Sequence, residues 1–219
     1  MSRPEPGLKQ TMIEKTAIAG VILAGGKASR MDFRDKALLH LNGEPLLAHV
    51  IRKAEPQVQQ LLLSVNHNAE QYQSFELPIV GDHELSYGGP LLGIYSAMRW
   101  CLQQPDTNLK FLACFAADVP EFPQHVVTDL SAAIQDASIG AAYIRHRGQI
   151  QPLFSLWRLA LADQLHKAIM SGLYGPKLVF ESVHAVAVHS DNDTPGAFFN
   201  INSSTELEFA AGLIRKNNA

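Results

Sequence analysis

A three-layer α/β/α sandwich around a mainly parallel sheet is what this sequence predicts, and three features predict it. Short apolar runs such as Phe111 to Ala116 alternate with longer stretches whose apolar residues recur at helical spacing. The runs are almost uninterrupted in their hydrophobicity, as strands covered on both faces must be. They also end in residues with chemical potential: Gly25, Asn66, Asp82 and Asp118 each come at or just after a predicted strand end. In open α/β sheets ligands sit outside the carboxyl ends of the strands, so these four positions are expected on one rim.

The elements follow in order. Ala17 to Leu23 reads as a buried strand that stops at Gly25-Gly26, and Ala37 to Leu41 is a short apolar piece before the Asn42-Gly43 turn signal. Pro45 suits the first turn of a helix, whose buried face is Leu46, Leu47, Val50, Ile51, Ala54 and Val58. Strands are predicted at Leu61 to Val65 and Pro78 to Val80, with a short helix through Tyr72 and Phe75 between them. Gly88-Gly89-Pro90 opens a helix, Leu109 to Ala116 is a strand, and Pro123 to Gln135 is a helix. Ser138 to Ile144 and Ile150 to Leu156 are further strands, and Arg158 to Met170 has helical period. Val183 to Val188 and Phe198 to Ile201 are the last expected strands. Ser203 with Glu206 fits a capping box before a final helix.

Composition narrows the function classes. A chain of 219 residues with 47% hydrophobic and 18% charged residues suits one substantial globular domain. Its formal charge of −3 argues against a partner bound through many phosphate contacts, as nucleic acid is. The two cysteines, Cys101 and Cys114, have no metal-ligand spacing and form no disulfide framework, which points to a reducing cytoplasm. No apolar run approaches the ~20 residues of a membrane span. Residues 1–15 mix Pro, Lys, Glu and Gln without an apolar centre, so they read as a loose lead-in tail to a domain running over 16–219.

The stretch after the first strand carries the chemistry. Glycines at 25 and 26 allow backbone to approach a ligand, and Lys27, Arg30, Arg34 and Lys36 follow. Exposed backbone N–H groups with cations behind them make a phosphate cradle, although a solvated basic loop would read the same way. The named glycine motifs do not fit. There is no Gly-x-Gly-x-x-Gly, and a near match to a P-loop over Gly20 to Lys27 is one residue too long, with Ala28 where Ser or Thr should bind the metal. Asp118, in Ala116-Ala117-Asp118-Val119-Pro120, is placed to hold Mg²⁺ with water and phosphate completing the shell, or else to cap a turn. The nine histidines form no zinc pattern, and no serine sits in a nucleophile elbow.

Leu23-Ala24-Gly25-Gly26, then Ser29-Arg30-Met31, then Asp35-Lys36, resembles the signature loop of the nucleotidyltransferases that activate sugars and cofactors, most nearly the molybdenum cofactor guanylyltransferases. Asp32 stands where that family usually has Gly after the Met. The resemblance covers about residues 17 to 214 and implies a Rossmann-like nucleotidyltransferase fold. It implies nucleotide contacts at Leu23, Ala24, Gly25, Gly26, Arg30, Lys36, Asp82, Gly89, Pro90 and Asp118, with Mg²⁺ on Asp118. Catalytic charge stabilisation would come from Arg30, Lys36 and Asp118. The family's strand-end Asn aligns with Ser64, and Asn66 stands two residues on; either is a candidate contact, with Asn66 preferred. Phe199-Asn200-Ile201-Asn202 resembles the family's Asn-x-Asn segment, so Asn200 and Asn202, expected on one face of a strand, are candidates for the second substrate or a second metal. Gln151-Pro152 replaces a frequent His-Pro.

The implied activity is transfer of GMP from GTP to the molybdopterin cofactor, with release of pyrophosphate and later handover to molybdoenzymes or cofactor-handling proteins. A cytidylyl or sugar-phosphate nucleotidyltransferase is the alternative within enzymes. A non-catalytic nucleotide-binding protein is the alternative outside them.

Overall fold

The computed structural model describes residues 13–24, 30–31, 34–81, 89–105, 108–191 and 194–217. Among them, seven strands form one sheet: β1 (Ile18–Leu23), β2 (Gln60–Ser64), β3 (Ile79–Val80), β4 (Phe111–Ala116), β5 (Ala141–His146), β6 (Gln149–Arg158) and β7 (Val186–Ser190). Their spatial order is β7-β5-β6-β4-β1-β2-β3. All neighbours are parallel except β6, which runs antiparallel to β4 and β5. The mainly parallel sheet of the sequence reading is therefore the sheet observed. The exception has a local cause. Arg147 and Gly148, at φ 47° and 79°, form a two-residue hairpin that forces the next strand back alongside β5.

Alternate residues of the central strands face opposite layers. Ile18 and Ile22 of β1 join Phe111 and Phe115 of β4 beneath α1 (Leu46–Ala54) and, farther along, α3 (Val126–Ala133). Ala19, Val21, Leu112 and Cys114 face α2 (Gly89–Gln103) and α4 (Ala162–Met170). Both cysteines are buried and free, and burial pushes the Cys101 thiol up to about 12 and raises Cys114 as well, so both are core thiols. A third, small cluster joins Leu41 and Leu46 to Ile201 and Ala210, and so docks α5 (Ser204–Asn217) against the hairpin at His40–Leu41 and Glu44–Pro45. That hairpin turns on Asn42 and Gly43, at φ 54° and 92°. No helix of the described residues is long and apolar enough to cross a membrane.

Several boundaries move for identifiable reasons. The helix expected from Pro123 begins at Val126, where the Gln57 side chain accepts the Val127 N–H at 3.0 Å. Arg158 belongs to β6, and α4 starts only at Ala162. The short helix through Tyr72 is a 3₁₀ helix over Ala69–Phe75. Register slips between Gln151 and Ser155, where Pro152 lacks an N–H for the ladder. Ser155 Oγ fills that gap by donating to Pro152 O at 3.0 Å and accepting Trp157 Nε1–H at 2.8 Å.

The strand expected at Phe198 to Ile201 is absent. Phe198 sits at φ 57°, in the left-handed region that no strand residue adopts. Its N–H donates to Glu121 O at 2.9 Å, and the Ile201 N–H donates to Asp118 O at 3.0 Å. The segment is an irregular strap laid across the turn that follows β4. Asn200 and Asn202 consequently do not share a strand face.

Candidate active site

The parallel strands β1, β2, β3, β4, β5 and β7 deliver their carboxyl ends to one rim, and backbone bonds hold three of those ends together. Ala24 N–H donates to Ser64 O at 3.0 Å, Val65 N–H to Val80 O at 3.1 Å and Ala117 N–H to Leu23 O at 3.3 Å. Leu23 and Ala24 bury their side chains, so any contact they make with a ligand is through backbone. Gly25, Gly26 and Asp82 lie outside the described residues. Arg30 lies in a two-residue strand, with Met31, paired to Arg34–Asp35, which turns the chain back toward the sheet.

That return delivers Lys36, the first residue of a 3₁₀ turn over Lys36–Leu38, into the interior at 6% exposure. A lysine so buried needs compensation. Its ammonium donates to Asn202 Oδ1 at 2.9 Å, and its charge acts on Asp118. Asp118 lies two residues beyond β4. Burial raises its carboxyl above the ordinary aspartate range, and Lys36 and its own backbone N–H pull it partly back down. A cation and a desolvated carboxylate from distant parts of the sequence are thus assembled at one end of the sheet. The turn bearing Asp118 is anchored from below, where Lys53 of α1 pairs with Glu121 at 2.6 Å and donates to Phe122 O at 3.3 Å.

Ser64 and Asn66 separate cleanly. Ser64 is 2% exposed and lies under Gly93 of α2, where a methyl group on the glycine would come 2.7 Å from Ser64 Oγ. Asn66 instead holds a buried Oδ1 with no protein partner. Such an orphaned acceptor at a strand end is a place where a ligand or water bonds. Nearby in sequence, the Tyr72 hydroxyl is also buried, and its proton is held more tightly by burial and by the Asp35 carboxylate.

Gly89 has φ 54°, and its missing side chain is accounted for by the protein: a Cβ there would lie 2.8 Å from Tyr174 O, which also accepts the Leu91 N–H at 3.0 Å. Pro90 is exposed. Gly89→Ala is expected to cost about 2–3 kcal/mol, from left-handed strain plus overpacking. Urea denaturation of the ligand-free protein checks this; an unchanged midpoint would show that the glycine does not hold α2 against Tyr174.

Among the described residues no three His, Cys, Asp or Glu side chains cluster as a metal-binding group. The donor set does not suit a closed, all-protein metal centre. One desolvated carboxylate, Asp118, suits Mg²⁺, which keeps water and takes substrate phosphates as ligands.

Sequence reasoning missed three contributors. The Ser203–Glu206 spacing predicts a capping box, and the Glu206 N–H does bond Ser203 Oγ at 3.2 Å, but the Glu206 carboxylate accepts the Asn202 N–H at 2.6 Å. Tyr174 carried no signal beyond lying beside Gly175-Pro176. Ile201 acts through its backbone, which no side-chain pattern reports.

This arrangement has relatives. Residues 20–187 match the family model of the MobA-like NTP transferase domain. The chain is 37% identical over 209 residues to a molybdenum cofactor guanylyltransferase of Burkholderia ambifaria, an alignment that spans 91% of this chain and 97% of that one. A protein of the same name from Ralstonia nicotianae is 35% identical over 205 residues, spanning 90% and 97%. In fold, the chain superimposes on molybdopterin-guanine dinucleotide biosynthesis protein A from Archaeoglobus fulgidus with a TM-score of 0.73 at 22% identity, over 90% of this chain and 99% of that one. A 4-diphosphocytidyl-2C-methyl-D-erythritolsynthase from Anaerococcus prevotii shares the fold at a TM-score of 0.72 and 12% identity, over 94% and 100%. A rim that gathers Lys36 and Asp118, together with a family match over most of its length, makes this chain a member of the MobA-like NTP transferase family.

Proposed function

We propose that the chain transfers GMP from GTP to the molybdopterin cofactor, forming the guanine dinucleotide form and pyrophosphate, as a Mg²⁺-dependent enzyme of the cytoplasm built as one domain over 16–219. The observation that carries this reading is a buried Lys36 whose charge acts on a desolvated Asp118 at the carboxyl rim, in a chain 37% identical to a molybdenum cofactor guanylyltransferase.

In this reading the terminal phosphate of the pterin attacks the α-phosphorus, a new P–O bond forms, and the bond to the β-phosphate breaks. The nucleophile is already anionic, so no side-chain base is needed, and the protein's work is alignment and charge balance. Lys36 and Arg30 receive triphosphate oxygens, and Asn66 offers its unpartnered Oδ1 to the nucleoside. Leu23, Ala24 and Gly89, through backbone, and Pro90 are assigned to the nucleotide in this reading, as are Gly25, Gly26 and Asp82 on the resemblance alone. Asn200 is left to the second substrate. Mg²⁺ held by Asp118 would supply further charge neutralisation on the phosphates.

Calorimetric titration with GTP, ATP, CTP and UTP, each with Mg²⁺, tests it. GTP is expected to bind tightest, and pyrophosphate release is expected only with a molybdopterin acceptor. A preference for CTP would move the chain to the cytidylyl relatives. GTP binding without pyrophosphate release would make it a nucleotide-binding protein.

A further inference from the structure

The Lys36–Asn202 bond joins two parts of the chain to which the resemblance gives different roles, Lys36 with the nucleotide and Asn202 with the second substrate or a second metal. Only one orientation of the Asn202 amide satisfies it: an ammonium has donors and no acceptor, so the side-chain oxygen must face Lys36. That oxygen is therefore committed before any ligand arrives. Behind it, the strap is held at Phe198, Ile201 and Asn202. Phe198 is buried against Phe154 and His146, with ring centroids at 5.0 Å and 5.1 Å. Ile201 is fully buried, and its N–H is tied to Asp118 O. The Asn202 N–H is tied to Glu206 in the first turn of α5.

We propose that Asn202 is a positioning residue for Lys36: the strap and α5 hold its amide oxygen so that the ammonium is fixed at the rim that carries Asp118, ready for the phosphate oxygens of the nucleotide. The choice of an amide matters. A neutral acceptor orients the ammonium without cancelling its charge, whereas a carboxylate at the same place would neutralise it and repel phosphate. Adjacent residues of one strap hold both groups, Ile201 the backbone of Asp118 and Asn202 the ammonium of Lys36. This rests on the nucleotide reading of the site, and it moves Asn202 from the second substrate to the nucleotide.

The test compares wild type with Asn202→Ala, Asn202→Asp, Lys36→Ala and the Asn202→Ala/Lys36→Ala double variant, after thermal melting has shown each folded. GTP–Mg²⁺ binding is measured by calorimetry without any acceptor. Asn202→Ala is expected to weaken GTP roughly tenfold, and Asn202→Asp by roughly a hundredfold. The double variant is expected to match Lys36→Ala, because Asn202 acts only through the ammonium. Multiplying effects in the double variant, an Asn202→Asp affinity equal to wild type, or a change confined to the KM of the pterin would each overturn the proposal. A nucleotide-free measurement separates it from the function: amine-reactive labelling of Lys36, read by mass spectrometry, is expected to accelerate in Asn202→Ala. Faster labelling in a protein that binds no GTP would keep the positioning contact and overturn the nucleotide reading, and unchanged labelling would overturn the contact.

Discussion

Asp118→Asn is expected to lower pyrophosphate release by about 10²–10³-fold, the usual cost of losing one charged group that stabilises a phosphoryl-type transition state. The same substitution is expected to leave the ligand-free protein as stable as before, or more so. The reason lies in the direction of the Asp118 shift. Its carboxyl is raised in the folded state, chiefly by burial, so the folded protein holds a proton that the unfolded chain releases. The sign is that of a group whose ionisation opposes folding. Its contribution is most favourable below the ordinary carboxylate range and declines as pH rises through the raised value. At neutral pH the ionised Asp118 is a cost, and an amide of the same shape removes it. The backbone bond from Ile201 to Asp118 O is untouched by the change. Activity assays and urea denaturation at pH 7, run on the same preparation, check both halves. A variant that lost activity only because it unfolded would show a lower midpoint, and one that stayed active would remove Asp118 from the metal role.

Lys36→Ala is the second large effect. Loss of the ammonium is expected to weaken GTP binding and to reduce turnover by about 10²-fold. Lys36→Arg should restore little, because a planar guanidinium does not fit a site closed to 6% exposure around a compact charge. The variant also carries a titration signature. Lys36 is the charge that pulls the Asp118 carboxyl down against burial, so removing it lets that carboxyl rise further. The acid limb of the pH–activity profile should then move to higher pH. A profile that merely scales down, with its acid limb unmoved, would show that the two groups are not electrostatically linked in the working enzyme.

How far the sequence reaches depends on how local the signal is. The stretch from Leu23 to Lys36 shows it: glycines and cations at short spacing fit a phosphate cradle and a solvated basic loop alike, and it is the resemblance to the nucleotidyltransferase signature that separates them. The sheet is readable because strands covered on both faces leave long apolar runs. The strap was misread for a physical reason: Phe199-Asn200-Ile201-Asn202 alternates with the period of a strand. Its backbone groups go instead to Glu121 and Asp118 on the turn after β4, and Phe198 takes a left-handed conformation that breaks the run. Ser64 and Gly89 show the same limit. Spacing marks both as candidates, and packing decides what each can offer: Ser64 is sealed under Gly93, and Gly89, whose Cβ position is filled by Tyr174, has only backbone to present. Which atom occupies the space beside a glycine is decided by packing across layers, and spacing along the chain does not encode it.

The strap also sets an order of events during synthesis. Lys36 and Asn202 are separated by 166 residues. At about 5–20 residues per second, Asn202 leaves the ribosome roughly 10–30 s after Lys36 does. By then the strands from β1 to β7 have all been made, and only α5 is still to come. A nascent chain can therefore complete its sheet while the lysine still lacks its anchor. Truncation just before the strap would yield a chain that has every strand of the sheet and lacks the Asn202 acceptor, so the contact that holds Lys36 is acquired last.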